Sequence, residues 1–105
     1  MIMDTLKKTG LPCAYSHFVK PQDPPYIVYV GRGQDNLAAD DTLYWRENIY
    51  QVEYYFTAKN EQHEKAIEDT LLSDGFIFTK SEDVYLEADD VFLIYYYTNG
   101  GKSHG

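Results

Sequence analysis

The sequence predicts an α+β domain: an antiparallel sheet of about four strands with two helices packed on one face, in the order α-β-β-α-β-β. Three observations support this prediction. Residues 49–57 alternate in polarity with the two-residue period of a half-buried strand. Residues 61–73 carry apolar side chains at helical spacing. Two aromatic and β-branched runs, 26–30 and 91–98, supply further strands.

The alternation in residues 49–57 makes this segment the predicted central strand. No glycine or proline interrupts it, and aromatic and β-branched residues fit a pleated surface. The opposite parity is polar apart from Tyr55. Every other apolar segment is therefore expected to pack against the buried parity, which consists of Tyr50, Val52, Tyr54 and Phe56.

The segments before the central strand predict a helix, a linker and a first strand. Residues 1–9 have the pattern of a short helix that Gly10 ends. The prolines in 21–25 predict an extended linker, because they fix φ and restrict the residues before them. The strand at 26–30 has no polar alternation, so we expect it to be buried on both faces or covered on one by a partner subunit.

A loop beginning at Gly31 separates the strand at 26–30 from residues 44–46, which return to the sheet and close a long hairpin. The loop, residues 31–42, is about as long as ordered loops become without a function. We therefore expect it to be functional or to be ordered by a partner.

The second half of the chain has a capped helix followed by strands. Asn60 is the expected N-cap, and Gly75 is expected to end the helix in the left-handed region. One domain over residues 1–98 accounts for all the predicted elements. The remaining elements are a helix at 61–73, a strand at 76–80 that resumes at 84–87, a strand at 91–98 and a flexible tail at 99–105.

Composition excludes several function classes. The formal charge of -8 repels nucleic-acid phosphates and anionic membranes, so groove binding to DNA is not expected. No apolar run approaches the roughly 20 residues that span a bilayer, and the N-terminus lacks the long apolar stretch of a signal peptide. Cys13 is the only cysteine, so no intrachain disulfide can form. These features predict a protein made in the cytosol.

Eleven tyrosines make up most of an aromatic content of 16%, which is high for a small acidic domain. Tyrosine is enriched at protein interfaces, where its ring is buried and its hydroxyl finds a partner. Strands also favour tyrosine for its shape alone. The count leaves both interpretations open.

Short motifs that would carry chemistry fail on their spacing. His63 and Glu64 begin a zinc-protease helix, but Ile67 stands where the second ligand is required. Residues 101–103 resemble the end of a phosphate-binding loop without its earlier glycine or a following helix. Residues 31–33 lack the third glycine of a dinucleotide fingerprint. We therefore predict a protein that is not an enzyme, with no catalytic, cofactor-binding or metal-binding residues.

Two further patterns have structural interpretations. Cys13 and His17 are four residues apart, which could activate a thiolate, but no orienting third group accompanies them, and a buried thiol is the preferred interpretation. The acidic pairs at 40–41 and 89–90 could share a proton or hold Mg²⁺. We prefer to interpret them as charges that keep loops soluble and protect strand edges.

Several segments form a recognisable set that covers most of residues 5–98. They are Gly10-Leu11-Pro12 with Ala14-Tyr15 and Phe18, Pro24 to Tyr29, Ala39-Asp40-Asp41 ahead of Tyr44, the central strand, Lys59 with the helix from Glu61 to Leu72, and the tyrosine-rich final strand. Together these segments resemble a family of small tail-completion, or head-tail joining, proteins of phages and prophages of Gram-positive bacteria.

The resemblance implies a virion structural protein assembled in the host cytoplasm. Its members form a ring of identical subunits, a hexamer among the options, at the head-proximal end of the tail. The ring terminates the tail tube and joins it to the capsid through tail-tube and connector proteins. No catalytic residue accompanies the resemblance. An acidic bore would let DNA pass without adhering.

The candidate interface combines the loop with tyrosines of the sheet. Its residues are Arg32, Gln34, Asp35, Asn36, Leu37, Ala38, Ala39, Asp40 and Asp41, with Tyr26, Tyr29 and Tyr55. A different class, an acidic DNA-mimic inhibitor of a nucleic-acid-binding protein, is motivated by the same net charge. Carboxylates in a duplex-like double row would favour mimicry, whereas carboxylates gathered on a loop and a helix back would favour the ring. A small hydrolase or nuclease is the third option, and it would require loop carboxylates clustered around a metal.

Overall fold

A single mixed sheet organises the protein in the computed structural model, which describes residues 2–32 and 49–100. Its strands lie in the order β1-β2-β3-β6-β4, and β5 pairs with the first part of β6. The central position of β3 confirms the predicted central strand. The elements are α1 Ile2–Lys7, β1 Cys13–Tyr15, β2 Tyr26–Gly31, β3 Tyr50–Phe56, α2 Glu61–Ser73, β4 Phe76–Lys80, β5 Val84–Leu86 and β6 Val91–Gly100.

The prediction of a four-stranded antiparallel sheet is wrong in strand number and in strand direction. The described residues form six strands, and β1 pairs with β2 in parallel, with Cys13 opposite Ile27. Three residues between Pro12 and Ser16 are too few to show an alternation, so the sequence does not reveal β1. The interruption at residues 81–83 makes β4 and β5 separate strands along one side of β6.

Both helices pack on one face of the sheet, as predicted. The buried parity of β3 is also confirmed, since Val52, Tyr54 and Phe56 are almost wholly inaccessible to solvent. Strand β6 is longer than predicted and reaches Gly100, so the described chain is ordered as strand beyond residue 98. The main core cluster consists of Ile2, Leu6, Ile27, Tyr29, Val52, Tyr54, Phe56, Ile67, Leu71, Phe76, Ile94 and Tyr96.

The predicted ends of α2 are confirmed. Asn60 has an extended backbone, and its Oδ1 accepts a hydrogen bond from the His63 backbone N–H at 3.1 Å. Gly75 has a φ of +90°, which glycine adopts without the steric cost of a side chain. Phe76 is buried directly after it. Local capping chemistry therefore sets both ends of the helix.

Removal of the cap tests this account of the helix start. Asn60→Ala should lower the free energy of unfolding by about 1 kcal/mol, because the His63 N–H loses its acceptor. Urea unfolding should show a lower midpoint with an unchanged slope. Asn60→Asp keeps a side-chain oxygen in place and should behave like wild type. Equal losses in both variants would contradict the capping role.

An ion cluster around the buried Glu64 joins α2 to the sheet. Glu64 is 4% exposed. Its Oε1 accepts a hydrogen bond from Lys80 Nζ at 2.9 Å, and its Oε2 lies 2.8 Å from Lys59 Nζ in an ion pair without hydrogen-bond alignment. Burial acts to raise the pKa of Glu64, but the two lysines outweigh it and hold that pKa below its ordinary value. The carboxylate is therefore charged and locally neutralised.

Candidate interaction surface

The face of the sheet opposite the helices carries the most distinctive group of side chains. The odd-numbered residues of β3 and β6 and the even-numbered residues of β2 point to this face. The cross-strand pairs Tyr26 with Tyr55 and Glu53 with Tyr95 establish this register. We call this surface the open face. It is defined by Tyr26, Val28, Gln51, Glu53, Tyr55, Leu93, Tyr95 and Tyr97.

Aromatic rings on the open face support one another. The rings of Tyr26 and Tyr55 stack across β2 and β3 with centroids 4.9 Å apart. Tyr95 and Tyr97 stack along β6 at 5.7 Å, and the Arg32 guanidinium lies 5.0 Å from the Tyr97 ring centroid. All four tyrosines are half-buried. Stacking limits their rotamers, so the face has already lost much of the side-chain entropy that binding would cost.

Glu53 is the charged centre of the open face. It accepts hydrogen bonds from Gln51 Nε2 at 2.6 Å and from the Tyr55 hydroxyl at 2.8 Å. Burial raises the pKa of Tyr55, and the hydrogen bond to Glu53 raises it further. Burial and the Glu53 charge also raise the pKa of Tyr95. The phenols of Tyr55 and Tyr95 therefore remain neutral at physiological pH and act as apolar rings that carry a hydroxyl group.

A cleft of about 320 Å³ lies at one end of the open face. Tyr26, Tyr55 and Leu86 line it from the sheet, and the segment after β1 lines it from the other side. Phe18 of that segment packs edge-on against Tyr26 at 5.3 Å. Residues 16–22 therefore cover part of the open face, and the tyrosines of β6 lie beyond this cover.

The structure separates the predicted interface residues. Tyr26 and Tyr55 stack on each other on the open face, whereas Arg32 follows the opposite end of β2 and lies over the Tyr97 ring. Tyr29 lies on the helix face, 9% exposed, with its ring against Tyr15 and Tyr50. The predicted loop residues 34–41 lie outside the described residues.

Sequence reasoning missed Glu53, Tyr95 and Tyr97. A signal for Glu53 was present, because it shares the parity of Tyr55 on the central strand. The tyrosines of β6 form an unbroken run from 95 to 97, so their faces follow only from the register with β3.

The residues of the rejected motifs have structural roles. The Cys13 thiol lies 3.5 Å from Met3 Sδ, and burial raises its pKa, which favours the unreactive protonated form. His63 Nδ1 lies 3.1 Å from the Tyr54 hydroxyl. Asp90 Oδ1 accepts a hydrogen bond from the Tyr85 hydroxyl at 2.7 Å. Within residues 2–32 and 49–100, no group of three or more histidine, cysteine or acidic side chains is arranged to hold a metal ion.

Comparison with known proteins adds no assignment. No protein-family model matches the sequence, and no curated protein matches it. In the part of the chain that the structure describes, neither helix has the length and apolar character needed to cross a bilayer. The functional proposal therefore depends on the geometry of the open face and on the resemblance in sequence.

Proposed function

We propose that the protein is a structural subunit of a phage or prophage tail. In this proposal, identical copies form a ring at the head-proximal end of the tail, where the ring ends tube growth and joins the tail to the capsid. The observation that carries the proposal is the open face, where four tyrosines share one surface with Glu53 while both described helices lie on the opposite face. The resemblance in sequence supplies the tail context.

The open face has the composition of a protein-binding surface. Tyrosine and arginine are enriched at interfaces, and interface cores are poor in charged residues. On this face Glu53 is already hydrogen-bonded by Gln51 and Tyr55, so a partner would meet few unsatisfied charges. Prearranged aromatic side chains bind at low entropic cost. We assign this surface to contacts with tail-tube or connector proteins.

The distribution of acidic side chains supports a ring over a DNA mimic. Several carboxylates lie on the exposed side of α2 and in the turns on either side of β5. Lysines neutralise several of them, as Lys59 does for Asp83 and Lys80 does for Glu68. A DNA mimic needs rows of unpaired charge that replace phosphates, and paired carboxylates supply this poorly.

Complementation of a tail defect tests the proposal. Deletion of the coding sequence from the phage or prophage that carries it should leave tails overlong or unjoined to capsids in electron micrographs. Wild-type protein supplied from a plasmid should restore infectious particles. Tyr97→Lys should fail to restore them, because a charge would enter the aromatic surface beside Arg32.

A matched control carries the same charge on the other side of the molecule. Gln62 is exposed on α2, so Gln62→Lys should complement as well as wild type. Both purified variants should keep the wild-type melting temperature within a few degrees. Normal tails after deletion would refute the proposed function, and full complementation by Tyr97→Lys would refute the role of the open face.

A further inference from the structure

The two outermost strands of the sheet expose hydrogen-bonding edges. On the β1 side, the Ile27 N–H donates to the Pro12 carbonyl and the Ser16 N–H donates to the Tyr29 carbonyl, both at 2.8 Å. In a parallel strand, the backbone groups of every second residue form hydrogen bonds with the same neighbouring strand. Because Pro12 and Ser16 bond to β2, the backbone groups of Cys13 and Tyr15 point away from it. The Tyr15 carbonyl accepts from the His17 N–H at 2.7 Å, while the Cys13 groups and the Tyr15 N–H point outward.

Strand β4 presents a similar edge on the opposite side. The Ser81 N–H donates to the Tyr95 carbonyl at 2.9 Å, which places Ile77 and Thr79 in the same hydrogen-bonding alternation with β6. The backbone groups of Phe76, Phe78 and Lys80 therefore point outward. Within residues 2–32 and 49–100, no strand pairs with the outer side of β1 or of β4. Such edges are templates for pairing with another chain.

Exposed apolar side chains lie at or near these two edges. Tyr15 on β1 is 58% exposed, and Val19 lies in the segment that leaves β1. Ile77 on β4 is 65% exposed. Leu72 follows Glu68 by one helical turn, and Glu68 reaches Lys80 of β4 at 2.7 Å, so Leu72 lies on the β4 side of α2. Each edge therefore combines outward backbone groups with apolar side chains.

The two sides of the sheet carry opposite charge. Residues 2–32, which form α1, β1 and β2, contain four basic and two acidic residues. Residues 49–100, which include α2, β4 and β5, contain three basic and eleven acidic residues. Lys7 is exposed at the end of α1, the helix that contacts β1, and its charge acts to lower the pKa of Cys13 on that strand. Pairs such as Lys8 with Asp74 and Lys80 with Glu68 neutralise part of this charge within the subunit. The remaining net charge is positive for residues 2–32 and negative for residues 49–100, which favours contact between the β1 side of one copy and the β4 side of another.

Strand direction also permits the two edges to pair. Along the order of the sheet, β1 runs parallel to β2, and each of the next three pairings reverses direction, so β1 and β4 run antiparallel to each other. A second copy related by rotation about an axis along the strands would place its β1 antiparallel to the first copy's β4. Antiparallel pairing is the more stable arrangement.

We propose that copies of this chain associate head to tail, with the β4 edge of one subunit pairing with the β1 edge of the next to continue the sheet. This inference rests on the proposed ring and names the contact that builds it. Head-to-tail contacts use two different surfaces, and they close into a ring when the rotation permits. The open face would then form a continuous aromatic band around the assembly.

A charge-swap mixing experiment tests the head-to-tail arrangement. One variant, Lys7→Glu with Lys20→Glu, makes the β1 side acidic, and the other, Glu61→Lys with Glu82→Lys, makes the β4 side basic. Native mass spectrometry should show that wild type assembles and that each variant alone associates at least about 10-fold more weakly. Mixing the two variants should restore assemblies in which they alternate. Assembly of either variant alone at wild-type strength would overturn the proposal.

A backbone variant tests the edge itself. Tyr15→Pro removes the outward Tyr15 N–H and should abolish assembly, because proline is compatible with an edge strand but cannot donate to a neighbour. Tyr15→Ala keeps that donor and should assemble more strongly than Tyr15→Pro. Circular dichroism should show both variants folded. If Tyr15→Pro is unfolded, the charge-swap result decides.

The outcomes separate this inference from the proposed function. Rings that persist in Tyr15→Pro and in both charge variants would refute edge pairing while leaving the tail function in place. A wild-type protein that stays monomeric at high concentration would refute edge pairing, and normal tails after gene deletion would refute the function.

Discussion

Val52→Asp should unfold the protein or lower its free energy of unfolding by more than about 4 kcal/mol. Val52 is wholly buried at the centre of the sheet, with Tyr29 and Tyr96 as its cross-strand neighbours. An aspartate there would place an unpaired carboxylate among apolar side chains. Domains of this size have only about 5–15 kcal/mol of stability, so the loss consumes much of it. Thermal unfolding followed by circular dichroism provides the measurement.

The neighbouring position provides a control on the other face. Gln51 lies on the open face and donates a hydrogen bond to Glu53. Gln51→Asp loses this bond and adds a second negative charge, at an expected cost of about 1 kcal/mol because solvent reaches the site. A melting temperature for Val52→Asp within a degree or two of wild type would contradict the assigned core.

The combined variant Lys59→Met with Lys80→Met should lose about 3–5 kcal/mol of stability at pH 7. Both lysines contact the Glu64 carboxylate at 2.8 and 2.9 Å. Without them, a side chain that is 4% exposed would keep its charge with no cation beside it. Each single variant should lose less, because one lysine remains, and a double-mutant cycle would measure the coupling between them.

The contribution of Glu64 to the pH dependence of stability should change sign in this variant. In wild type the lysines hold the folded pKa of Glu64 below its ordinary value of 4.5, so the contribution is present above that value and is lost as the pH falls through the folded pKa. In the double variant burial alone raises the folded pKa, so stability should increase as the pH falls through it. Urea titrations at several pH values would show the two opposite slopes.

An exposed lysine supplies the matched control for this experiment. Lys65 pairs with Asp69 across one turn of α2, and both side chains are largely solvent-exposed. Lys65→Met should therefore leave the urea midpoint close to that of wild type at each of these pH values. A double variant at Lys59 and Lys80 that behaves like Lys65→Met would show that Glu64 does not depend on its two lysines.

The parts of the fold that were predictable have local signals. The alternation of β3 identifies its buried face, and Asn60 and Gly75 mark the ends of α2 through capping chemistry. Strand β1 has no such signal because three residues cannot establish a period. Its parallel pairing depends on the path of residues 16–25, which is a tertiary property.

The candidate surface was predictable only in strands whose sequence alternates between the two faces. Tyr26 and Tyr29 are three residues apart on one strand, so they must lie on opposite faces. An interface formed by one face of the sheet therefore cannot include both tyrosines. Tyr95 and Tyr97 lie in a run without alternation, and only the register with β3 places them on the same face as Glu53.

The position of β6 in the chain also constrains how a subunit is made. Strands β3, β4 and β5 all precede β6 in sequence, and each of them hydrogen-bonds to it. During synthesis these three strands leave the ribosome before their shared partner exists, so their edges stay open until β6 emerges. Tyr50, for example, pairs with Thr98, which is synthesised 48 residues later. Closure of the sheet is thus a late, non-local step, and chains translated close together on one messenger could pair with each other before they pair with themselves.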